Sequence, residues 1–297
     1  MKVVSYNLNR LATEGAGGAD KRRALTDFVS SESADLYFFQ LVSREVLAHI
    51  RTALDGYHAC VFAAHDSEDA FGLAILSKVD VVPESRCEHR FGESEKLFAL
   101  SCSVSLSPGE EVRVTNVHLH NTSESIRLDQ VASLVESDSI NATRMIVGDF
   151  NALTKSDYFP HEWSALVDLA REREWEERQE RATTSLTAST AGTSFVDTCR
   201  WIDEERRRGS EKECASSAVA ERLHTYVLTL KERAVRLRLD YVFLRPCPSK
   251  LRPIDFHVCH DVHLSNHFPV VCTLSRSTKH LQWCARDVAS APKQLRQ

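Results

Sequence analysis

The sequence predicts an α+β domain in which two layers of strands are covered by helices. Three observations carry this prediction. The first forty residues alternate strand, helix and strand. Residues 57–118 hold one short β-rich run after another, and apolar strands return at 239–274. No internal repeat and no Pro/Gly linker divides the chain, so residues 1–275 are expected to form one domain and 276–297 a C-terminal tail.

Each element has a local reason. Lys2–Leu8 is a short apolar run and reads as a strand. Lys21–Val29 sets Ala24, Leu25, Phe28 and Val29 at helical spacing, and Leu36–Phe39, opened by Asp35, is a second strand. Val42–Leu54 returns to a helical period through Val46, Leu47, Ile50 and Leu54. Ala59–Phe62, Phe71–Leu76, Val79–Val82, Leu97–Leu106 and Val112–Leu119 are then separated by Gly, Ser, Asp and Pro, the texture of consecutive antiparallel strands. Ser125–Val135 is an amphipathic helix, and Met145–Val147 is a buried strand running into Gly148. Trp163–Ala170 reads as helix and Arg171–Arg181 as a solvated charged face. Ile202–Val219 reads as an exposed excursion, while Leu239–Leu244, Ile254–Cys259 and Phe268–Leu274 close the fold.

Composition excludes several classes. Lys and Arg number 37 against 42 Asp and Glu over 297 residues, a net charge of −5, which argues against a strongly basic nucleic-acid clamp. No apolar run approaches the roughly 18 residues of a membrane span. Nine cysteines without a C-x-x-C pair fit reduced thiols better than a disulfide framework or zinc ribbon. The start, Met1-Lys2-Val3-Val4-Ser5-Tyr6-Asn7, has the pattern of a strand and not of a signal or transit peptide, so an intracellular protein of cytoplasm or nucleus is expected.

Chemistry-bearing residues recur at the ends of apolar strands. The segments are Ser5-Tyr6-Asn7, Asn116-Val117-His118-Leu119, Gly148-Asp149-Phe150-Asn151, Arg238-Leu239-Asp240-Tyr241 and Ser265-Asn266-His267-Phe268-Pro269. Gathered on one rim, two His, two Asp and several Asn suit attack on a phosphate: a carboxylate takes a proton from water, a carboxylate-paired His meets the phosphate, and amides position oxygens. Singly, Asp149 reads equally as a turn residue, and His118 and His267 as satisfied structural histidines. Asp240 is more telling. Flanked by Leu239 and Tyr241, its carboxylate needs a partner, and His267 is the candidate. The Arg222, Lys231, Arg233, Arg236 and Arg238 series reads either as a phosphate track or as a solvated helix interspersed with Glu221 and Glu232.

In this order the motifs resemble the endonuclease/exonuclease/phosphatase superfamily. Asn7 matches the Asn that ends its first strand, and Phe71–Lys78 resembles its glycine-led strand ending in Ser-Lys. His118 matches its Thr-His-Leu histidine, and Gly148-Asp149-Phe150-Asn151 is its most specific motif. Thr225-Tyr226 resembles its Thr-aromatic pair, Asp240 its Asp-Tyr aspartate and His267 its terminal Ser-Asp-His histidine. The resemblance implies a four-layer αββα sandwich of two packed mixed β-sheets flanked by helices, and Mg²⁺- or Mn²⁺-assisted phosphoester hydrolysis. It implies Asp149 as the group acting on water, Asn7 and Asn151 around phosphate and metal, His267 held by Asp240 on the phosphate, and His118 as a second donor.

Two departures bear on the metal. Gln40-Leu41 stands where the family carries Gln-Glu, and that Glu is its principal Mg²⁺ ligand; Asn266 stands where it has Asp. Leucine has no oxygen for a cation that takes hard oxygen ligands, so Asn7 and Asn266 are the expected remaining metal neighbours and the metal is expected to be weak or absent. Glu45, one helical turn beyond, is the nearest replacement. Two readings follow. One is a divergent metal-dependent phosphoester hydrolase acting on a phosphoester substrate or nucleic acid. The other is a catalytically inactive module that binds nucleic acid, a phosphate compound or a protein partner.

Overall fold

The computed structural model describes residues 1–11, 17–57, 59–65, 71–92, 96–136, 143–172, 181–187, 195–209, 222–230, 233–245 and 251–276. The chain opens with a strand–helix–strand unit: β1 (Lys2–Asn7), α1 (Gly18–Glu32) and β2 (Leu36–Ser43). It continues through α2 (Arg44–Ala53), β3 (Ala59–Ala64), β4 (Phe71–Ser77), β5 (Cys87–Phe91) and β6 (Lys96–Ser107). A second strand–helix–strand unit follows: β7 (Glu110–His118), α3 (Glu124–Glu136) and β8 (Thr143–Asp149). Then come α4 (Pro160–Glu172), α5 (Arg181–Thr187), β9 (Val196–Asp197) and α6 (Thr198–Gly209). The strands β10 (Tyr226–Leu230), β11 (Arg233–Leu237), β12 (Asp240–Arg245), β13 (Leu251–Val258) and β14 (Val270–Arg276) complete it.

These strands form two six-stranded mixed sheets, ordered β13-β14-β1-β2-β4-β3 and β5-β6-β7-β8-β12-β9. Each has one parallel pair at its centre, β1/β2 and β7/β8, because only there does a helical crossover join neighbouring strands. The crossover helices lie outside. Val3, Leu36, Phe38, Leu73 and Ile75 face Val114, Met145, Val147 and Val242 between the sheets, while Val4, Tyr6, Tyr37, Phe39 and Leu76 face α1 and α2. Ile146, Phe150 and Phe243 pack outward with Val131 and Leu134 of α3 and Leu186 of α5. Central strands are therefore buried on both faces, which is why they read as unbroken apolar runs. The four-layer αββα sandwich is thus realised.

Beneath the sheet ends a buried polar clamp joins the two sheets. The β2/β4 register slips between Phe39 and Val42. Asn116 of β7 donates from Nδ2 to the carbonyls of Phe39 and Ala74, 2.9 Å each, and accepts from Gln40 Nε2 at 2.7 Å. Asn116→Leu keeps the volume but strands those groups in the core. It is expected to lower stability by about 2–4 kcal/mol, read as a lower urea midpoint with unchanged slope.

Several expectations need correction. Val79–Val82 contributes only a single bridge, Val81 to Val104; Pro83 lacks an amide hydrogen, and the strand expected there lies instead at Cys87–Phe91. The helix expected from Val42 starts at Arg44, because β2 runs through Ser43, whose hydroxyl caps Val46 N at 3.2 Å. The Ile202 stretch is helical through Gly209 instead of an irregular excursion. Of the basic series, Arg233 and Arg236 lie on β11 of the hairpin β10–β11 and not on a helix, Arg222 precedes β10, and Lys231 lies outside the described residues. Arg238, at the end of the series, is fully buried. Residues 173–180, 210–221 and the expected tail from 277 onward lie outside the described residues. Among the described residues no helix is long and apolar enough to cross a membrane.

Candidate active site

The two parallel pairs end on the same rim. Asn7 ends β1, His118 ends β7 and Asp149 ends β8, while β12, antiparallel to β8, starts with Asp240 directly opposite Asp149. His267 precedes β14, antiparallel to β1, and is fixed by a bridge to Tyr226 and by its amide on Ser265 Oγ, 3.2 Å. Five segments spread over some 260 residues of chain thereby meet around one cavity of about 340 Å³. Asn7, His118, Asp149, Asn151, Asn266 and His267 all line it. Asp240 does not; it sits buried behind His267.

Local backbone chemistry makes the strand ends similar. Asn7 Oδ1 accepts from Asn9 N, and Asp149 Oδ1 accepts from Asn151 N, at 2.9 and 2.8 Å, so each side chain closes its own turn two residues on. Asn151 takes a left-handed conformation, φ 47°, which Asn tolerates better than most residues, and its Nδ2 donates to Leu119 O at 2.9 Å. Gly148 is required for space as well as conformation. At φ 140° a Cβ there would stand 2.1 Å from the Val117 carbonyl oxygen, inside the parallel β7/β8 pair.

Asp149 is the hub. Its Oδ2 accepts from Asn7 Nδ2 at 2.9 Å and has His118 Nε2 at 3.6 Å and His267 Nε2 at 3.8 Å. His267 is held on its other side, with Nδ1 2.8 Å from Asp240 Oδ2. Burial raises the Asp149 carboxyl above the usual range, and the charge of Asp240 adds to this while His267 opposes it. For His267, burial works against the cation, but Asp240 and Asp149 outweigh it and its value is raised. His118 goes the other way, down to about 3, because burial and the neighbouring His65, His267 and Arg10 all disfavour its charge. The rim therefore carries a carboxylate and an imidazole both biased toward their protonated forms beside an imidazole biased toward its neutral form.

Among the described residues, Asp149, Asp240 and His267 bring one ligand-type atom each within 4.8 Å of one another. Yet the donor set does not fit Mg²⁺ or Mn²⁺ held by hard oxygens in octahedral array. Both imidazole nitrogens of His267 already face carboxylates, and both Asp149 oxygens and Asn7 Oδ1 accept hydrogen bonds. Leu41, at the β2 bulge with φ 51°, presents carbon to the cavity wall where an oxygen ligand would be wanted. Glu45 is exposed on the first turn of α2 and does not replace it. No step is therefore assigned to a metal.

Three contributors escaped sequence reasoning. Thr225, read only as part of a paired motif, accepts through Oγ1 from both the Leu239 and Asp240 amides at 3.0 Å, fixing the start of β12. Arg238 makes a two-pronged ion pair with Asp197 at 2.7 and 2.9 Å, reaches Asp157 at 3.0 Å, and stacks on Tyr241. His65 stands edge-on to His118, ring centroids 5.6 Å apart. The partners of Arg238 lie 41 and 81 residues upstream, too far for any local pattern to reveal.

Known proteins of the same shape exist although no curated protein matches the chain by sequence. A crystal structure of D. rerio TDP2 humanized by 14 mutations superposes with a TM-score of 0.62 at 16% identity, covering 93% of this chain and 98% of that one. A Beutenbergia cavernae endonuclease/exonuclease/phosphatase structure gives 0.63 at 18% identity, over 93% of this chain and 71% of that one. D. rerio TDP2 complexed with a single strand DNA product gives 0.62 at 14% identity, over 93% and 98%. The sequence profile of the Endonuclease/Exonuclease/phosphatase family matches residues 4–267, taking in strands of both sheets and the site residues from Asn7 to His267. With the rim assembled in the order that family uses, the chain belongs to the endonuclease/exonuclease/phosphatase family.

Proposed function

We propose that the chain is a divergent phosphoester hydrolase of the phosphodiesterase or nuclease type, with a weakened metal site. The observation that carries this reading is the line Asp240–His267–Asp149, 2.8 and 3.8 Å, at the floor of the cavity. Asp149, raised by burial, accepts the proton of the attacking water as the new O–P bond forms. His267, whose cation Asp240 favours, donates from Nε2 to the phosphoryl oxygens, where charge accumulates as the ester O–P bond breaks and the ester oxygen departs as its anion. Neutral His118 and the Asn7 and Asn151 amides orient the phosphate. Chemistry in this family is generally divalent-metal dependent; here such an ion contributes little, since Leu41 and Asn266 replace two carboxylates. The neighbouring TDP2 structure with DNA supports nucleic acid as one substrate class.

A second reading, a catalytically silent binding module, is favoured by Leu41 and Asn266, the two positions where the metal site lacks a carboxylate. One experiment separates the two. Hydrolysis of bis(p-nitrophenyl) phosphate is followed at high enzyme concentration with and without Mg²⁺ or Mn²⁺. Slow turnover that changes little with metal is expected; no turnover under any condition rejects the hydrolase. Leu41→Glu combined with Asn266→Asp is expected to create measurable Mg²⁺ heat in calorimetry and raise turnover by about 10²-fold or more, since a metal supplies several kcal/mol to the transition state.

A further inference from the structure

The cavity has two unlike halves. Its floor is the polar rim just described. Its outer half, the lining away from that rim, is mostly apolar: Trp163, Leu166 and Val167 of α4, Leu228 and Leu237 of the β10–β11 hairpin, and Leu239, with Asn9, Asn121, Thr122 and Tyr226 as the further polar lining. The packing of these parts explains the wall. Leu166, Leu237 and Leu239 belong to a small apolar cluster in which α4 backs the hairpin, with Trp163 and Leu228 packed against it and only partly buried. Among the described residues, no lysine or arginine lines this cavity.

We infer that the outer half is a subsite for an apolar ester arm, so that the substrate is a phosphodiester carrying an alkyl or aryl group. This rests on the hydrolase reading for the floor but on separate residues for the arm. A phosphate seated on Asn7, His118 and His267 leaves the rest of a 340 Å³ cavity to whatever the phosphate carries. A polyol against leucine and tryptophan would lose water that Asn121, Thr122 and Tyr226 replace only in part. For a nucleic-acid substrate, further phosphates would meet a described lining that carries no lysine or arginine, so the arm assigned to the apolar wall is an uncharged one. An alkyl or aryl arm loses nothing and removes its own surface and that of the wall from water.

The test holds the chemistry constant and varies only the arm. Methyl, hexyl and benzyl p-nitrophenyl phosphates share a leaving group, and kcat/KM is measured for each. Each methylene fully buried favours binding by about fourfold, so hexyl or benzyl is expected to exceed methyl by about tenfold or more after the cost of ordering the chain. Leu228→Asn is expected to shrink that ratio by about tenfold, and because the ratio is taken within one protein it does not depend on the folded fraction. Calorimetry with methyl- and hexylphosphonate reads the subsite without turnover. Turnover of all three esters at equal rate overturns the apolar subsite and leaves the hydrolase standing. No turnover, but tighter binding of hexylphosphonate lost in Leu228→Asn, overturns the hydrolase and leaves the subsite. Equal binding of both phosphonates by the unmodified protein overturns the subsite. A benzyl preference over hexyl would assign the wall to rings stacking on Trp163, and the reverse to a chain.

Discussion

Asp149→Asn is expected to lower kcat on bis(p-nitrophenyl) phosphate by at least about 10³-fold, the scale of removing a general base together with the group that orients its neighbours. The substitution keeps the size of the side chain and its acceptor for Asn151 N, but an amide cannot take the proton of water. Stability separates this from misfolding. A carboxyl whose value is raised by folding weakens the fold once the pH exceeds its ordinary range, so near neutrality the charge of Asp149 is a cost. Asn removes that cost while losing the 2.9 Å bond from Asn7 Nδ2. The two offset, and the melting temperature is expected to stay within about 3 °C. His267→Ala should lose a comparable factor, and the double variant little more than either alone, because the two stabilise one transition state as a coupled unit. Loss of activity that simply tracks loss of the folded fraction would remove Asp149 from this role.

The largest stability effect is expected at Arg238. Arg238→Met preserves much of the stem but leaves Asp197 and Asp157, both buried, with Arg200 as their remaining ion-pair partner among the described residues. Breaking one partner of a buried ion network costs about 3–5 kcal/mol, which for a chain of this size lowers the melting temperature by roughly 10 °C. Calorimetric or fluorescence melting checks this. The combination Arg238→Met with Asp197→Asn should recover part of the loss, since it removes a stranded charge along with the cation. Arg238 immediately precedes Leu239 and Asp240, so residual activity per folded molecule should also fall. A melting temperature unchanged in Arg238→Met would show that the network contributes nothing.

The central strands were legible because they are buried on both faces, and burial writes itself into sequence as uninterrupted Val, Ile, Leu and Phe. The strand-end residues were legible for a related reason. A polar residue that ends an apolar run, such as Asn7, His118 or Asp149, marks where a sheet meets solvent, and the Gly148–Asn151 motif names the turn that follows. Less of the region after Asp149 could be read. The β10–β11 segment carries Arg233 and Arg236 among its apolar residues, with Lys231 and Glu232 between its two strands in sequence, and so reads like a solvated helix. Its apolar residues, Leu228 and Leu237, gain meaning only when Trp163 and Leu166 of α4 lie against them.

What the sequence determined by itself was the set of chemical groups: two aspartates, two histidines and the asparagines that end strands, together with the missing oxygen at Leu41. These are properties of residue type and order, which no folding changes. The tertiary structure decided how they face one another. Asp240 is buried behind His267 and not in the cavity, His118 is pressed toward neutrality by burial and then by His65, His267 and Arg10, and Arg238 is an internal ion-pair partner and not a phosphate contact. Electrostatic effects depend on distance and burial, and the groups concerned are separated by tens to hundreds of residues along the chain, so only the folded sheets could set them.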